Sequence, residues 1–167
     1  AEQDQRRHQP VAVGLEVGDI AFEADGIVLA IRRSKTDPQG AGQLVGIPYA
    51  HSVETCPVRA IEQWIARAGI SGGRLFRSVD RHGRIGEALS GAAVAEIVKR
   101  SVARVGLDPE RYSGHSGRSG FITQAAMNGA DIGAIGLHAR QRSIATTRAY
   151  VQEAAALNNP AASSVGL

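Results

Sequence analysis

A tyrosine hydroxyl ionises near pH 10 and becomes a nucleophile only where positive charge and a proton acceptor surround it. Tyr150 ends the segment SIATTRAY, whose pattern is helical, and by itself it reads as a helix tyrosine half-buried against a core. It does not stand by itself. His115 and Arg118 are three residues apart in YSGHSGRSG, a spacing that puts both side chains on one face at the start of a helix. There a guanidinium can hold two non-bridging phosphate oxygens while an imidazole manages a proton or donates to the same phosphate. The backbone N–H groups of a helix N-terminus favour the same anion. Lys35 sits in RRSKTDPQG, a turn-rich stretch between two strand patterns. A lysine at a hairpin tip is ordinarily solvated surface, yet held over a phosphate its ammonium can protonate a departing 5′ oxygen. Each feature alone is a common accident; the set together suits transfer of a phosphoryl group to tyrosine.

The elements that must position these residues divide into a short β region and a longer helical one. From Val11 to Ala50 the pattern is of strands: GDIAFEADGIVLAIRR holds an Ala-Asp-Gly turn between two alternating runs, and QLVGIPYA supplies a third. Turn formers mark a loop at Ser34 to Gly42. Pro57 suits a first helical position, with Val58, Ile61, Trp64 and Ile65 on one apolar face until Gly69 stops it. Arg74 to Leu89 reads as a loop. Ser90 can cap a helix carrying Val94, Ile97, Val98, Val102 and Val105, ended by Gly106. HSGRSGFITQAAMNG reads as a third helix, ADIGAIGLH as a short fourth, and SIATTRAYVQEAAAL as a fifth capped by Ser143. The fold expected is mainly α with a small antiparallel β-sheet near the N-terminus, in the α+β class.

Composition narrows the class. The 167 residues suit one domain with a real core, and 43% hydrophobic with 21% charged residues describe an ordinary globular chain. No run of about 18 apolar residues could span a bilayer, and AEQDQRRHQP is too polar for a signal-peptide core. The expectation is a soluble cytoplasmic protein. The single Cys56 excludes an internal disulfide and offers no zinc cluster; a buried thiol at a helix start accounts for it. The net charge is +3, and most of the positive charge is arginine, which permits nucleic-acid binding without demonstrating it. Segments around Arg81, Arg84, Arg100 and Arg104 can track phosphates, which sets affinity rather than specificity.

Three blocks in order, RRSKTDPQGAG, YSGHSGRSGF and SIATTRAY, together with CPVRAIEQW, LFRSVDRHGRIG and GLDPERYSGHS between them, resemble the catalytic domain of tyrosine recombinases of the phage integrase kind. The resemblance runs from about Val13 to Leu157. It implies that Lys35 is the general acid for the leaving hydroxyl, that His115 and Arg118 activate and stabilise the phosphate, and that Tyr150 forms a 3′-phosphotyrosyl link. A 5′ hydroxyl from a partner duplex then reverses the step. The covalent link conserves the bond energy, so the resemblance implies no cofactor and no metal. It implies double-stranded DNA and sibling subunits as partners, association with the nucleoid when DNA is bound, and a tetramer in the synaptic complex, with Arg32, Arg33, Arg140 and Arg142 as candidate DNA contacts. On this view residues 1–158 form a catalytic domain without the family's N-terminal DNA clamp, and 159–167 form a mobile tail. Ala154, Ala155, Ala156 and Leu157 offer a small apolar face for a neighbouring subunit.

Two positions depart from the family pattern. Counting back from Asp19-Ile20 to the first arginine of the family lands on His8, so that arginine is either a displaced Arg7 or missing. Gln141 stands where the family carries a second histidine or a tryptophan; its amide can donate but cannot carry charge or shuttle a proton. His138 lies one helical turn earlier and is too far displaced to substitute simply. The departures keep two other readings open: a catalytically degenerate remnant that binds DNA or sibling subunits, and a type IB topoisomerase-like relaxer.

Overall fold

The computed structural model describes residues 11–32, 42–141 and 143–155. They form two compact units, one up to Val94 and one from Ala95 onward.

The first unit is built on a three-stranded antiparallel sheet, β1 (Ile20–Glu23), β2 (Gly26–Ile31) and β3 (Gln43–Pro48), with β2 in the centre. The Ala24-Asp25 turn joins β1 to β2, where the Ala-Asp-Gly signal put it, and Ile27 pairs with Phe22 on one side and Ile47 on the other. Gly26 lies opposite Pro48, and a Cβ there would overlap the Ile47 carbonyl oxygen, so only glycine lets the strands approach. The apolar side of β2 packs against α2 (Pro57–Ala68), and the core consists of Leu15, Ile27, Leu29, Cys56, Val58 and Leu75. Pro57 occupies the first turn of α2 and Gly69 ends it in the left-handed conformation. Trp64 from α2 donates through Nε1 to the Leu75 carbonyl at 2.8 Å, fastening helix to loop.

Two stretches differ from the sequence expectation. Val11–Asp19 is not strand: it forms a short helix α1 (Val11–Gly14) and a 3-10 turn (Val17–Asp19). The turn forms because the Asp19 carboxylate accepts from the Glu16 backbone N–H at 2.9 Å, a local bond that competes with strand pairing. Asp19 is buried, and Arg32 Nε faces its Oδ1 at 2.5 Å; no well-aligned hydrogen-bond donor reaches that oxygen, so the pair is ionic in character. Arg74 to Leu89 is not all loop either. It contains a hairpin of β4 (Arg77–Val79) and β5 (Ile85–Ala88), closed by Asp80, whose Oδ1 accepts from His82 and Arg84 N–H groups at 2.7 and 2.9 Å. The strands are short and mostly solvent-facing, so no alternation of apolar residues announces them.

The boundary between the units falls within α3 (Gly91–Arg104), which Ser90 caps by accepting from Ala93 N–H at 3.1 Å. Gly106, at φ 78°, closes its C-terminus as expected. The valine face of α3 is present, but none of its residues is fully buried.

The second unit continues with α4 (Ser116–Met127), α5 (Ile132–His138) and α6 (Ile144–Ala155), which pack on one another. Asp131 caps α5 by accepting from Ala134 N–H at 2.9 Å. Ile122 of α4, Ile135 of α5 and Ala139 just beyond α5 are the buried centre, with Ala125, Ala126 and Tyr150 against them. Among the described residues no helix is long and apolar enough to cross a membrane.

Candidate active site

The turn before α4 is fixed by its serines. Ser113 N–H donates to Ser116 Oγ at 2.9 Å, Ser116 N–H returns to the Ser113 carbonyl at 3.0 Å, and His115 N–H donates to Ser113 Oγ at 3.2 Å. His115 is thereby the residue that caps α4, and Arg118 is the third residue inside it. Both are exposed, and among the described residues neither side chain has a hydrogen-bond or ionic partner. Arg118 lies four residues before Ile122, one turn N-terminal of it on the same face.

Tyr150 comes to that neighbourhood from α6. Its ring is half-buried against the cluster centred on Ile122 and Ile135, so the helix that carries Tyr150 lies directly on the helix that carries His115 and Arg118. Ser143 starts α6, its carbonyl accepting from Thr146 and Thr147 N–H groups.

Gln141 occupies the corner between α5 and α6. Its N–H donates to the Gly136 carbonyl at 2.9 Å, and Arg140 N–H donates to that of Leu137 at 3.1 Å, a C-terminal closure of α5 that requires a left-handed residue at 140. Arg140 adopts it, with φ 56°, and is the single non-glycine residue of positive φ among those described. The Gln141 side chain accepts at Oε1 from the Thr147 hydroxyl at 2.6 Å. His138 is engaged elsewhere, its ring 4.8 Å from that of Phe121.

Of the residues expected at the site, His115, Arg118, Gln141 and Tyr150 thus belong to one helical unit. Lys35, Arg7, Arg33 and Arg142 lie outside the described residues, as do the loop tip that carries Lys35 and the segment 159–167. Arg32 is held by Asp19, with Glu16 at 4.0 Å as well, which gives it a role inside the fold. Thr147 escaped the sequence reading. It is fully buried, and the only hint of it was a second threonine inside SIATTRAY. The same reading passed over Tyr49, whose hydroxyl donates to Glu62 at 2.6 Å beneath the Arg59 guanidinium. No three metal-ligating side chains converge among the described residues.

No protein-family model matches the chain. A curated relative, an "Integrase/recombinase xerD homolog" of Selenomonas ruminantium, is 35% identical over 142 residues, which cover 84% of this chain and 42% of the relative. The chain therefore spans less than half the length of that relative. Among solved structures, the Tn1549 transposon integrase in complex with transposon right end DNA matches with a TM-score of 0.57 and 17% identity, over 84% of this chain and 48% of that one. The ordered motifs, the fold and the sequence identity agree, and this chain belongs to the tyrosine recombinase family.

Proposed function

We propose that the chain cuts and rejoins double-stranded DNA in site-specific recombination or integration, through a 3′-phosphotyrosine intermediate. Tyr150 gives its proton to a base, the role the resemblance leaves to His115, and its oxygen attacks phosphorus. The bond from phosphorus to the 5′ oxygen breaks, and that oxygen takes a proton from Lys35. Arg118 and the N–H groups at the start of α4 offset the charge that grows on the non-bridging oxygens. Attack by another 5′ hydroxyl reverses every transfer, so no external energy source enters.

The observation that carries this reading is the packing of α6 on α4, which brings a tyrosine-bearing helix against a helix whose N-terminus holds a guanidinium and an imidazole with no ionic or hydrogen-bond partner among the described residues. Arg140 and Arg142 flank Gln141 and supply further positive charge for the DNA backbone. Sibling subunits, four on a synapsed pair of sites, complete the exchange.

The test uses a pool of nicked duplexes of randomised sequence, from which covalent protein–DNA adducts are recovered under denaturing conditions. The wild-type chain, joined to its flanking sequence, is expected to yield adducts that disappear in Tyr150→Phe. Equal, negligible yields from both would exclude the chemistry.

A second reading, a remnant that binds DNA or sibling subunits without cutting, is motivated by the residues that stand where the resemblance puts the family's second histidine or tryptophan and its first arginine, Gln141 and His8. Gel shifts that persist without adduct, even in Gln141→His, would support it.

A further inference from the structure

We propose that Thr147 is the positioning residue for Gln141: its buried hydroxyl holds the amide with Oε1 turned inward, leaving the two Nε2 hydrogens to donate to a phosphate oxygen. The inference rests on the reading above and assigns a task to the residue that departs from the family pattern.

A glutamine amide has two ends that look alike in shape and are opposite in hydrogen bonding. What decides its usefulness at an anion is which end faces out. Here the inward end is set by Thr147, whose hydroxyl lies 2.6 Å from Oε1 and is fully removed from solvent. Water cannot take over that bond, so turning the amide round would set Nε2 against the hydroxyl and oblige the buried proton to find another acceptor. The carbonyl one turn back, that of Ser143, already accepts from Thr146 and Thr147 N–H groups. Space for the hydroxyl exists because residue 136 is glycine: a Cβ there would stand 3.3 Å from Thr147 Oγ1.

The backbone of Gln141 is fixed independently. Its N–H is bonded to the Gly136 carbonyl, and Arg140 ahead of it is held at φ 56°, a conformation that costs a side-chain-bearing residue free energy. Strain kept beside a candidate site is more informative than strain elsewhere. Gln141 is therefore locked at both backbone and side chain, while its Nε2 has no partner among the described residues. Thr147 precedes Tyr150 by three residues on α6, about 4.5 Å of helix rise, so the amide is tied to the same turn as the nucleophile. An amide so held is a donor whose strength does not vary across neutral pH, in contrast to a histidine.

The experiment compares Thr147→Val, which keeps shape and removes the hydroxyl, with Thr147→Ser, Gln141→Ala and the double variant Gln141→Ala with Thr147→Val. Adduct formation on the nicked duplexes enriched by wild type is one readout. The Gln141 carboxamide pair in proton–nitrogen correlation spectra is the other. Thr147→Val is expected to slow adduct formation about 10- to 100-fold, by analogy with other losses of a supporting shell or of alignment. Thr147→Ser should restore it, and the double variant should be no slower than Gln141→Ala alone. A wild-type rate in Thr147→Val, or a loss that multiplies with that of Gln141→Ala, overturns the proposal. If wild type forms no adduct, the proposed function fails, and the spectra still decide this point. A distinct carboxamide pair that collapses in Thr147→Val and persists in Thr147→Ser supports positioning; a pair unchanged in Thr147→Val overturns it. Should Thr147→Val not fold, Gln141→Glu serves instead, since it keeps the acceptor for Thr147 and removes both donors. Unchanged melting with lost adduct is expected, and unchanged adduct formation would overturn the proposal.

Discussion

The sheet unit and the helical unit bury their side chains differently. In the first, Ile27, Val58, Leu75 and Cys56 are at most 2% exposed and form one continuous core between β2 and α2. In the second, the comparable centre is Ile122, Ile135 and Ala139, while Phe121, Met127, Leu137 and Ile144 face outward at 40% exposure or more. The candidate chemistry sits wholly in the second unit as far as the described residues go. Among the described residues the larger buried cluster thus lies in the unit that carries none of the described candidate catalytic residues, and those residues stand on helices whose described buried cluster is smaller. Small cores leave helix pairs freer to adjust, which suits the role proposed for Tyr150.

The comparison breaks most directly on core truncation. Leu75→Ala removes a side chain with no exposure from a cluster of six buried residues and should cost about 2–5 kcal/mol, whereas Ile135→Ala, in a cluster of three buried residues, should fall at the low end of that range. Chemical denaturation of both variants checks it, and equal losses would remove the distinction between the units.

Truncation at the site should show the opposite profile. Arg118→Ala deletes an exposed cation, so stability should change by less than about 0.5 kcal/mol. Adduct formation should nonetheless fall by about 10²–10³ or more, the usual cost of removing a donor aimed at developing charge. A variant that melts early and cleaves normally would place Arg118 in the fold and not in the site.

The same division governs what the sequence could reveal. The helices that carry Arg118 and Tyr150, and the turn that carries His115, were legible because the caps at Ser90 and Ser143 and the stops at Gly69 and Gly106 are local signals. Val11–Asp19 was misread as strand because its apolar residues alternate, and the bond from Glu16 N–H to Asp19 that makes it turn is invisible to periodicity. The β4–β5 hairpin was missed because exposed strands carry no apolar code. Thr147 was missed for another reason: its importance lies in a side-chain bond to a residue six positions away, across a helix corner, that no pattern of types announces.

A finer probe of the helical unit is Arg140. Its left-handed backbone is strained, so Arg140→Gly should be about 1 kcal/mol more stable than Arg140→Ala, a pair that isolates the backbone effect. If the Arg140 side chain contacts a phosphate, both variants should bind DNA more weakly and lower the slope of log affinity against log salt by about one. That stability difference with an unaltered slope would remove Arg140 from the DNA contacts while leaving its role at the corner.

The smallest effect belongs to the sheet unit and concerns Tyr49. Its hydroxyl donates to the Glu62 carboxylate at 2.6 Å, and this bond, with burial and the carboxylate charge, raises its pKa above the ordinary 10.0 against the opposing pull of Arg59. The neutral phenol is the form the fold favours, so the contribution is complete below pH 10.0 and is lost as pH rises through the raised value. Glu62→Leu removes the acceptor and its charge and leaves Arg59 5.1 Å from the ring. Ultraviolet difference titration should then show one of the three tyrosines moving to lower pH, with Tyr49→Phe abolishing that step. The bond ties the residue after β3 to α2, in the unit without a described site residue, so the shift should leave adduct formation at neutral pH unchanged. An altered rate in Glu62→Leu would mean that the sheet unit is coupled to the chemistry of the helical one, and that the separation of stability from reactivity drawn between them does not hold.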